Sequence, residues 1–135
     1  MHKIYELDNG LGIAIKPMRH MESVSLGVWI RAGGRYEDTK DNGISHLLEH
    51  LLFKGTTKRD MKKLKEDIEG RGGSFNGFTA EEFTCYLVKV QAKDIELGVD
   101  IPVVALAAEG DDPDRAVVLG VDVELLPLRA VHPLE

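Results

Sequence analysis

The sequence predicts an α+β fold, in which an antiparallel or mixed sheet carries its helices on one face. Three observations predict it: a hairpin signal near the start, a strictly alternating strand over 23–31, and a helical apolar period over 44–54. The strands and helices do not alternate as regular β-α-β units, so a doubly wound parallel sheet is not expected.

The first strands follow from turn chemistry and from alternation. Residues 8–10 read Asp-Asn-Gly, a strong tight-turn signal, and they join short runs at 3–7 and 11–16 into a predicted β-hairpin. Between residues 23 and 31 every second residue is apolar, which indicates a strand with one buried face. The apolar positions are Val24, Leu26, Val28 and Ile30.

The next predicted element is an amphipathic helix over 44–54. Its apolar residues recur at the spacing of helical turns and form one stripe. These residues are Ile44, Leu47, Leu48, Leu51 and Leu52. Asp41 or Asn42 is expected to cap the start of the helix, and Lys54-Gly55 suits its end.

Further elements extend the sheet and add two helices. A helix is predicted over about 60–69, followed by strands over 74–79 and 83–90. A last helix starts near Asp94, and Pro102 is expected to stop or kink it. Cys85 lies in the second of these strands, where a buried structural thiol is expected rather than a ligand or a nucleophile.

Size, charge and cysteine content exclude several classes of protein. The chain has 135 residues, enough for one domain, and its net charge of -6 argues against nucleic-acid binding. No apolar run reaches the ~18 residues of a membrane helix, and the N-terminus lacks the apolar core of a signal peptide. A cytoplasmic location without membrane contact is therefore expected. A single cysteine allows no internal disulfide, so any metal must be held by His and carboxylate side chains.

The segment 102–135 differs in kind from residues 1–101. It lacks Lys, Ile, Ser, Thr, Asn, Gln and every aromatic residue, and its two basic and seven acidic side chains give it a net charge of -5. Every residue type that it uses can be encoded by codons beginning with G or C. We therefore divide the chain into an incomplete N-terminal domain over 1–101 and an atypical tail over 102–135. A shifted reading frame or another artefact is one hypothesis for the tail, and a genuine acidic tail is the other.

The most informative residues for function are His46, Glu49 and His50. Residues four apart lie on one face of a helix, one turn apart, so both imidazoles can reach a single ion. Glu49 borders that face, and a carboxylate there can accept a proton from metal-bound water. The order H-x-x-E-H is the inverted form of the zincin motif H-E-x-x-H. The alternative is a surface helix that carries two histidines by chance.

Three blocks of sequence resemble the N-terminal part of the insulinase or pitrilysin family of zinc peptidases, which includes the mitochondrial processing peptidases. They are SLGVWIRAGGRYE (25–37), GISHLLEHLLFKGT (43–56) and GGSFNGFT (72–79), within a similarity that runs from about Tyr5 to Ile101. The resemblance implies the truncated N-terminal half of a metallopeptidase domain. It also implies zinc as the cofactor, with His46 and His50 as zinc ligands and Glu49 as the general base.

The resemblance further implies how a peptide or unfolded polypeptide would bind. Residues 74–79 would form an edge strand on which the substrate lies extended, with Asn76 near the scissile bond and Phe75 and Phe78 beside it. Edge-strand pairing recognises any peptide backbone, so the sequence preference can stay loose. For Asn76 the alternative is an ordinary turn or strand-end polar residue. Family members also need a second, similar half or subunit, which is the partner that we expect.

The chain departs from the family at the third zinc ligand, which the family supplies as a glutamate on a later helix. The corresponding window holds Leu125, Leu126 and Pro127, and a second alignment places Val121 at the ligand position. Glu124 falls one residue short of the window. It is a weak candidate, because the tail would have to fold back onto the site.

Two functions remain for this sequence. The first is a zinc-dependent metalloendopeptidase, or its N-terminal fragment, in which zinc activates a water and Glu49 takes the proton. The second is a non-catalytic peptide-binding or partner subunit of the same fold. The intact motif favours the first for the parent protein, whereas the missing third ligand leaves the second open for this chain.

Overall fold

The computed structural model describes residues 2–8, 10–55 and 59–100, and two short strands at 118–121 and 132–133. The strands are β1 (Lys3–Glu6), β2 (Gly12–Ile15), β3 (Ser23–Ile30), β4 (Ser74–Thr79), β5 (Thr84–Gln91), β6 (Val118–Val121) and β7 (His132–Pro133). The helices are α1 (Ile44–Leu52) and α2 (Met61–Ile68), and residues 95–100 are also helical. Within these described ranges, no helix has both the length and the apolar character that a membrane crossing requires.

The described strands form one mixed sheet in the order β4-β5-β3-β6-β2-β1-β7. β1 and β2 form the predicted hairpin. β2 and β6 run parallel, and the other described neighbours are antiparallel. β4 lies at one edge of the sheet, hydrogen-bonded along its length to β5. The predicted α+β class with a mixed sheet is thus confirmed.

β3 carries the core of the molecule on one face. Its four alternating apolar residues are buried, as predicted. Two of them, Val28 and Ile30, pack with Leu52 and Phe53 at the end of α1. The other two pack with residues of the 95–100 helix. Because alternate side chains of a strand share one face, α1 and the 95–100 helix cover the same side of the sheet.

α1 meets the sheet through Ser45, Glu49 and its C-terminal end, where Leu52 of the apolar stripe packs on the core, and it leaves the rest of the stripe less buried. Its buried residues are Ser45 and Glu49. Three residues of the stripe are between 45% and 55% exposed, namely Ile44, Leu47 and Leu51. In β4, Gly77 has no side chain, which allows Glu49 and Phe53 to come close to the strand.

The start of α1 also differs from the prediction. Its N-cap is Gly43, in the left-handed region at φ 93°, and no side chain of the cap residue accepts a hydrogen bond there. The expectation that Asp41 or Asn42 caps this helix is therefore wrong. A left-handed conformation at this position favours glycine, because a Cβ atom would be strained there.

α2 forms within the range predicted for it, and the structure adds a side-chain cap at its start. Asp60 is its N-cap, and the carboxylate accepts a hydrogen bond from the backbone N–H of Lys63 at 2.8 Å. Of its apolar residues, Leu64 and Ile68 are buried, whereas Met61 is exposed. The helix is thus fixed by local capping and by two buried side chains.

Arg59 joins α2 to the 95–100 helix. Its guanidinium donates hydrogen bonds to the carboxylates of Asp67, at 3.1 Å, and Asp100, at 2.6 Å. The hydrogen bond to Asp100 is the largest cause that raises the pKa of Arg59 above its ordinary value. Lys63 also pairs with Asp67, at 2.8 Å, and holds the pKa of that carboxyl below its usual range.

Candidate metal centre and active site

The imidazole rings of His46 and His50 meet on the exposed side of α1. Their Nε2 atoms are 2.9 Å apart, and the ring planes cross at 83° with centroids 4.5 Å apart. The side chain of His46 is 63% exposed. The two rings therefore present their nitrogens to a common point that solvent and solutes can reach.

The spacing of these nitrogens fits a shared zinc ion. Two nitrogens at the usual bond length from one zinc ion in tetrahedral geometry are about 3.3 Å apart. The observed separation of 2.9 Å is close to this value and somewhat shorter. Imidazole nitrogen is also a donor that zinc prefers, so the donor chemistry and the spacing agree.

The third ligand is not found in the part of the chain that the structure describes. Within those ranges, no group of three or more His, Cys, Asp or Glu side chains is placed to hold a metal ion. Glu124, the weak candidate from the sequence, lies outside the described residues. The described residues thus supply two nitrogen donors and one adjacent carboxylate.

Glu49 lies beneath the two rings, between α1 and β4. Its side chain is only 8% exposed, and its Oε2 atom is 3.8 Å from Nδ1 of His46. The hydroxyl of Thr79, at the end of β4, donates a hydrogen bond to the same oxygen at 3.3 Å. The carboxylate is therefore held in a defined place beside the imidazole pair, where it can accept a proton.

Gly77 makes this close approach of helix and strand possible. A Cβ atom on Gly77 would lie 2.8 Å from a ring carbon of Phe53 and 3.2 Å from Cγ of Glu49. The ring of Phe53 also packs against Phe75, with centroids 5.1 Å apart. The residues of β4 that face α1 are thus Phe75, Gly77 and Thr79.

The three predicted substrate residues lie on two different faces of β4. Phe75 faces α1, whereas alternation places Asn76 and Phe78 on the opposite face. The side chain of Asn76 is turned back onto its own strand, where Oδ1 accepts a hydrogen bond from the N–H of Gly77 at 2.9 Å. Phe78 packs edge-on against Phe83, and it stays 43% exposed.

Other candidate residues lie away from this site. Cys85 is fully buried in β5, and burial raises the pKa of its thiol to about 11, so it is a poor nucleophile. His2 and His20 lie outside the motif, and both are exposed. Glu81 and Glu82 are exposed in the turn that joins β4 to β5.

Sequence reasoning missed three residues that support the site, namely Glu37, Gly77 and Thr79. A glycine inside a predicted strand often marks a place where another part of the chain approaches the backbone closely, so the role of Gly77 could have been predicted from the sequence. Thr79 sits 30 residues from Glu49, and no local pattern joins the two. Glu37 reaches the start of α1 from the preceding loop, which only the folded chain reveals.

Known proteins share both the sequence and the fold of this region. The chain is 40% identical over 101 residues to the uncharacterized zinc protease YmxG of Bacillus subtilis, covering 75% of this chain and 25% of that protein. It is 41% identical over 99 residues to mitochondrial-processing peptidase subunit beta of Lentinula edodes, covering 73% of this chain and 21% of that protein. The crystal structure of a protease from Helicobacter pylori is similar, with a TM-score of 0.68 and 27% sequence identity. The match covers 75% of this chain and 24% of that chain.

The chain therefore spans about a quarter of the length of the relatives that it matches. A sequence model of the insulinase family, Peptidase family M16, matches residues 13–103, which include the motif at 46–50 and the edge strand β4. Since this match covers most of the chain, the protein belongs to the insulinase family of peptidases, family M16.

Proposed function

We propose that this chain is the zinc-binding N-terminal part of a metalloendopeptidase. One arrangement supports the proposal above the others: a nearly buried carboxylate, that of Glu49, beside two exposed imidazoles whose nitrogens are 2.9 Å apart. In a surface helix with histidines placed by chance, nothing would require the acidic residue to be buried against the sheet.

His46 and His50 would hold the zinc ion in this proposal. Bound zinc supplies Lewis-acid polarisation of the peptide carbonyl and lowers the pKa of a water to about 7. Glu49 takes the proton of the attacking water and delivers it to the leaving amine. The hydroxyl of Thr79 keeps the Glu49 carboxylate in position for both transfers.

β4 is the proposed binding site for the substrate backbone. It lies at the edge of the sheet, so one side of its backbone is not paired with a described strand. An extended peptide can add to such an edge through main-chain hydrogen bonds, which need no particular sequence. Gly77 and Thr79 of the same strand contact or adjoin Glu49, so a peptide on this edge would pass close to the general base.

We also propose that a second homologous half or subunit completes the enzyme. This chain spans about a quarter of its relatives, and one of them is named as a subunit beta. The exposed stripe of α1, formed by Ile44, Leu47 and Leu51, supports the idea that more polypeptide covers this helix in the complete protein.

The division of the chain into a domain over 1–101 and a tail over 102–135 is also part of this proposal. We propose that the tail derives from a shifted reading frame, and that the true downstream sequence carries the third zinc ligand. Translation of the source DNA in all three frames tests this idea. A continuation of the family pattern in another frame would support it, and its absence from every frame would leave a genuine acidic tail.

Zinc uptake by three variants tests the metal site. We expect His46→Ala and His50→Ala to lose zinc uptake after dialysis, whereas Glu49→Gln keeps it, because the glutamate is not a ligand. His20→Ala is the matched control, since His20 is exposed and lies outside the motif. Stoichiometric zinc in His46→Ala would contradict the assignment.

Peptide hydrolysis separates the two candidate functions. We expect zinc-dependent cleavage of an unstructured peptide by the complete protein, with its third ligand and second half, and none by its Glu49→Gln variant. If the zinc-loaded wild-type chain binds the peptide without cleaving it, the non-catalytic subunit is the better description of this chain.

A further inference from the structure

The helix that carries the motif lacks the usual cap at its start. The first N–H groups of a helix have no partner within the helix, and a side chain at the N-cap commonly accepts from them. Here the N-cap is Gly43, which has no side chain to offer. His46 follows in the first turn, so the unsatisfied groups lie next to the first predicted zinc ligand.

Glu37 supplies the missing acceptor from outside the helix. One carboxylate oxygen, Oε2, accepts a hydrogen bond from the N–H of Gly43 at 2.6 Å, and the other, Oε1, accepts from the N–H of Ser45 at 2.9 Å. The bond from Gly43 is the largest cause that lowers the pKa of Glu37, followed by bonds from the hydroxyl and the N–H of Ser45. The carboxylate of Glu37 thus accepts hydrogen bonds from both Gly43 and Ser45, and His46 follows Ser45 directly in the chain.

The loop that carries Glu37 is fixed to the turn between β4 and β5. The N–H of Arg35 donates to the carbonyl oxygen of Glu81 at 2.7 Å, and the guanidinium of Arg35 pairs with the carboxylate of Glu82. Gly33 lies so close to this turn that a Cβ atom on it would be 2.3 Å from the carbonyl oxygen of Ala80. The loop therefore cannot shift without moving the end of the edge strand.

We infer that Glu37 is a positioning residue, which fixes the start of α1, and with it His46, against the hairpin of β4 and β5. The inference rests on the proposed function, because its consequence is a fixed distance between the zinc ligands on α1 and the strand proposed to hold the substrate. Residues 33–37 of this loop make two hydrogen bonds to the start of α1 and three contacts with the turn between β4 and β5.

A positioning role differs from simple stabilisation of a helix in what it changes. Loss of a cap lowers the stability of the whole fold, but in the folded protein it leaves a preformed metal site unaltered. Loss of positioning changes the geometry of the site itself, so it lowers metal affinity and alters the ligand field even when the protein is fully folded.

Glu37→Gln is the main test, because the amide can accept through only one atom. At a temperature where the variant is fully folded, we expect zinc affinity to fall about tenfold. We also expect a changed visible absorption spectrum of the Co²⁺-loaded chain, and shifts in the NMR signals of the Gly43 and Ser45 amides and of the His46 ring. Glu37→Asp keeps the charge on a shorter side chain, so we expect an affinity between those of the wild type and Glu37→Gln.

Glu66→Gln is the matched control, because Glu66 is an exposed carboxylate on α2. It should leave zinc affinity and the cobalt spectrum unchanged. A folded Glu37→Gln whose zinc affinity stays within about twofold of the wild type, with the same cobalt spectrum, would overturn the inference. If Glu37→Gln does not fold, wild-type affinity and an unchanged spectrum in Glu37→Asp would overturn it equally.

The failure of the proposed function would look different. If the wild-type chain takes up no zinc, the metal site is wrong, and the NMR signals of the metal-free protein then decide the inference. Shifted Gly43, Ser45 and His46 signals in Glu37→Gln would support the positioning role, whereas an unmoved His46 ring would overturn it.

Discussion

The hydroxyl of Thr79 donates a hydrogen bond to the carboxylate of Glu49 at 3.3 Å, and so joins the motif helix to the edge strand. Glu49 is nearly buried at this junction, while the imidazoles on the same helix stay exposed. The proposed general base is thus oriented by the strand, and the proposed metal ligands are carried by the helix. The relative position of α1 and β4 therefore determines the geometry of the site.

Thr79→Val tests the orientation of the base. Valine has nearly the same shape but cannot donate a hydrogen bond, so Glu49 would lose its only described side-chain donor. In the complete protein, we expect kcat for an unstructured peptide to fall about tenfold, with zinc uptake unchanged. Thr79→Ser restores the hydroxyl and should keep most of the activity. Equal kcat values for the wild type and Thr79→Val would show that this hydrogen bond has no part in catalysis.

Gly77→Ala tests the close packing of helix against strand. The new methyl group would lie 2.8 Å from the ring of Phe53 and 3.2 Å from Glu49, so α1 must move outward. We expect the free energy of unfolding in urea to fall by about 1–3 kcal/mol.

Gly70→Ala is the control for that substitution. A Cβ atom on Gly70 meets no atom within 4 Å, so we expect a change of less than about 1 kcal/mol, of either sign. If the two alanine variants unfold at the same urea concentration, the contact at Gly77 does not constrain α1.

Arg59→Met tests the link between α2 and the 95–100 helix. The substitution keeps much of the aliphatic stem and removes the hydrogen-bonded ion pairs of Arg59 with Asp67 and Asp100. Since the Arg59 side chain is only 20% exposed, we expect a loss of about 1–3 kcal/mol in unfolding free energy. Lys62→Met is the control, because Lys62 faces Glu66 across 3.8 Å in a largely exposed pair and should change little. An equal effect of both variants would mean that the Arg59 link contributes no more than a surface pair.

Cys85 should resist alkylation in the folded protein. Burial raises the pKa of its thiol to about 11, so little thiolate is present at pH 8 and access is blocked. We expect iodoacetamide to label Cys85 slowly in buffer and rapidly in guanidinium chloride, as measured by mass spectrometry. In a Cys85→Ser background, Ser25→Cys on the exposed face of β3 should react rapidly in buffer. Rapid labelling of native Cys85 would mean that β5 opens readily.

The same thiol predicts how stability changes at alkaline pH. Its pKa is higher in the folded chain than in the unfolded chain, so the folded state holds the proton more tightly. This contribution to stability is complete below the unfolded pKa and is lost as the pH rises toward about 11. Urea denaturation between pH 8 and 11 should show a smaller alkaline loss for Cys85→Ser than for the wild type, and parallel curves would contradict this.

Much of the fold could be predicted from local sequence. The alternation in β3 and the hairpin signal between β1 and β2 are patterns within a few residues, and both elements formed as predicted. The start of α1 could not be predicted in this way. The acceptor at the start of this helix is the carboxylate of Glu37, which reaches Gly43 and Ser45 across a loop. A capping rule that considers only neighbouring residues selected Asp41 or Asn42 and therefore gave a wrong prediction.

The sequence by itself determined that two imidazoles and a carboxylate lie within one turn of a helix, because helical geometry fixes neighbours three and four residues apart. Only the tertiary structure decided that this helix turns Glu49 toward the sheet and leaves Ile44, Leu47 and Leu51 of its apolar stripe exposed. That choice depends on Gly77 and Thr79, which are about 30 residues further along the chain. Contacts between such distant residues follow from the packing of the whole sheet, and no periodic pattern within the helix encodes them.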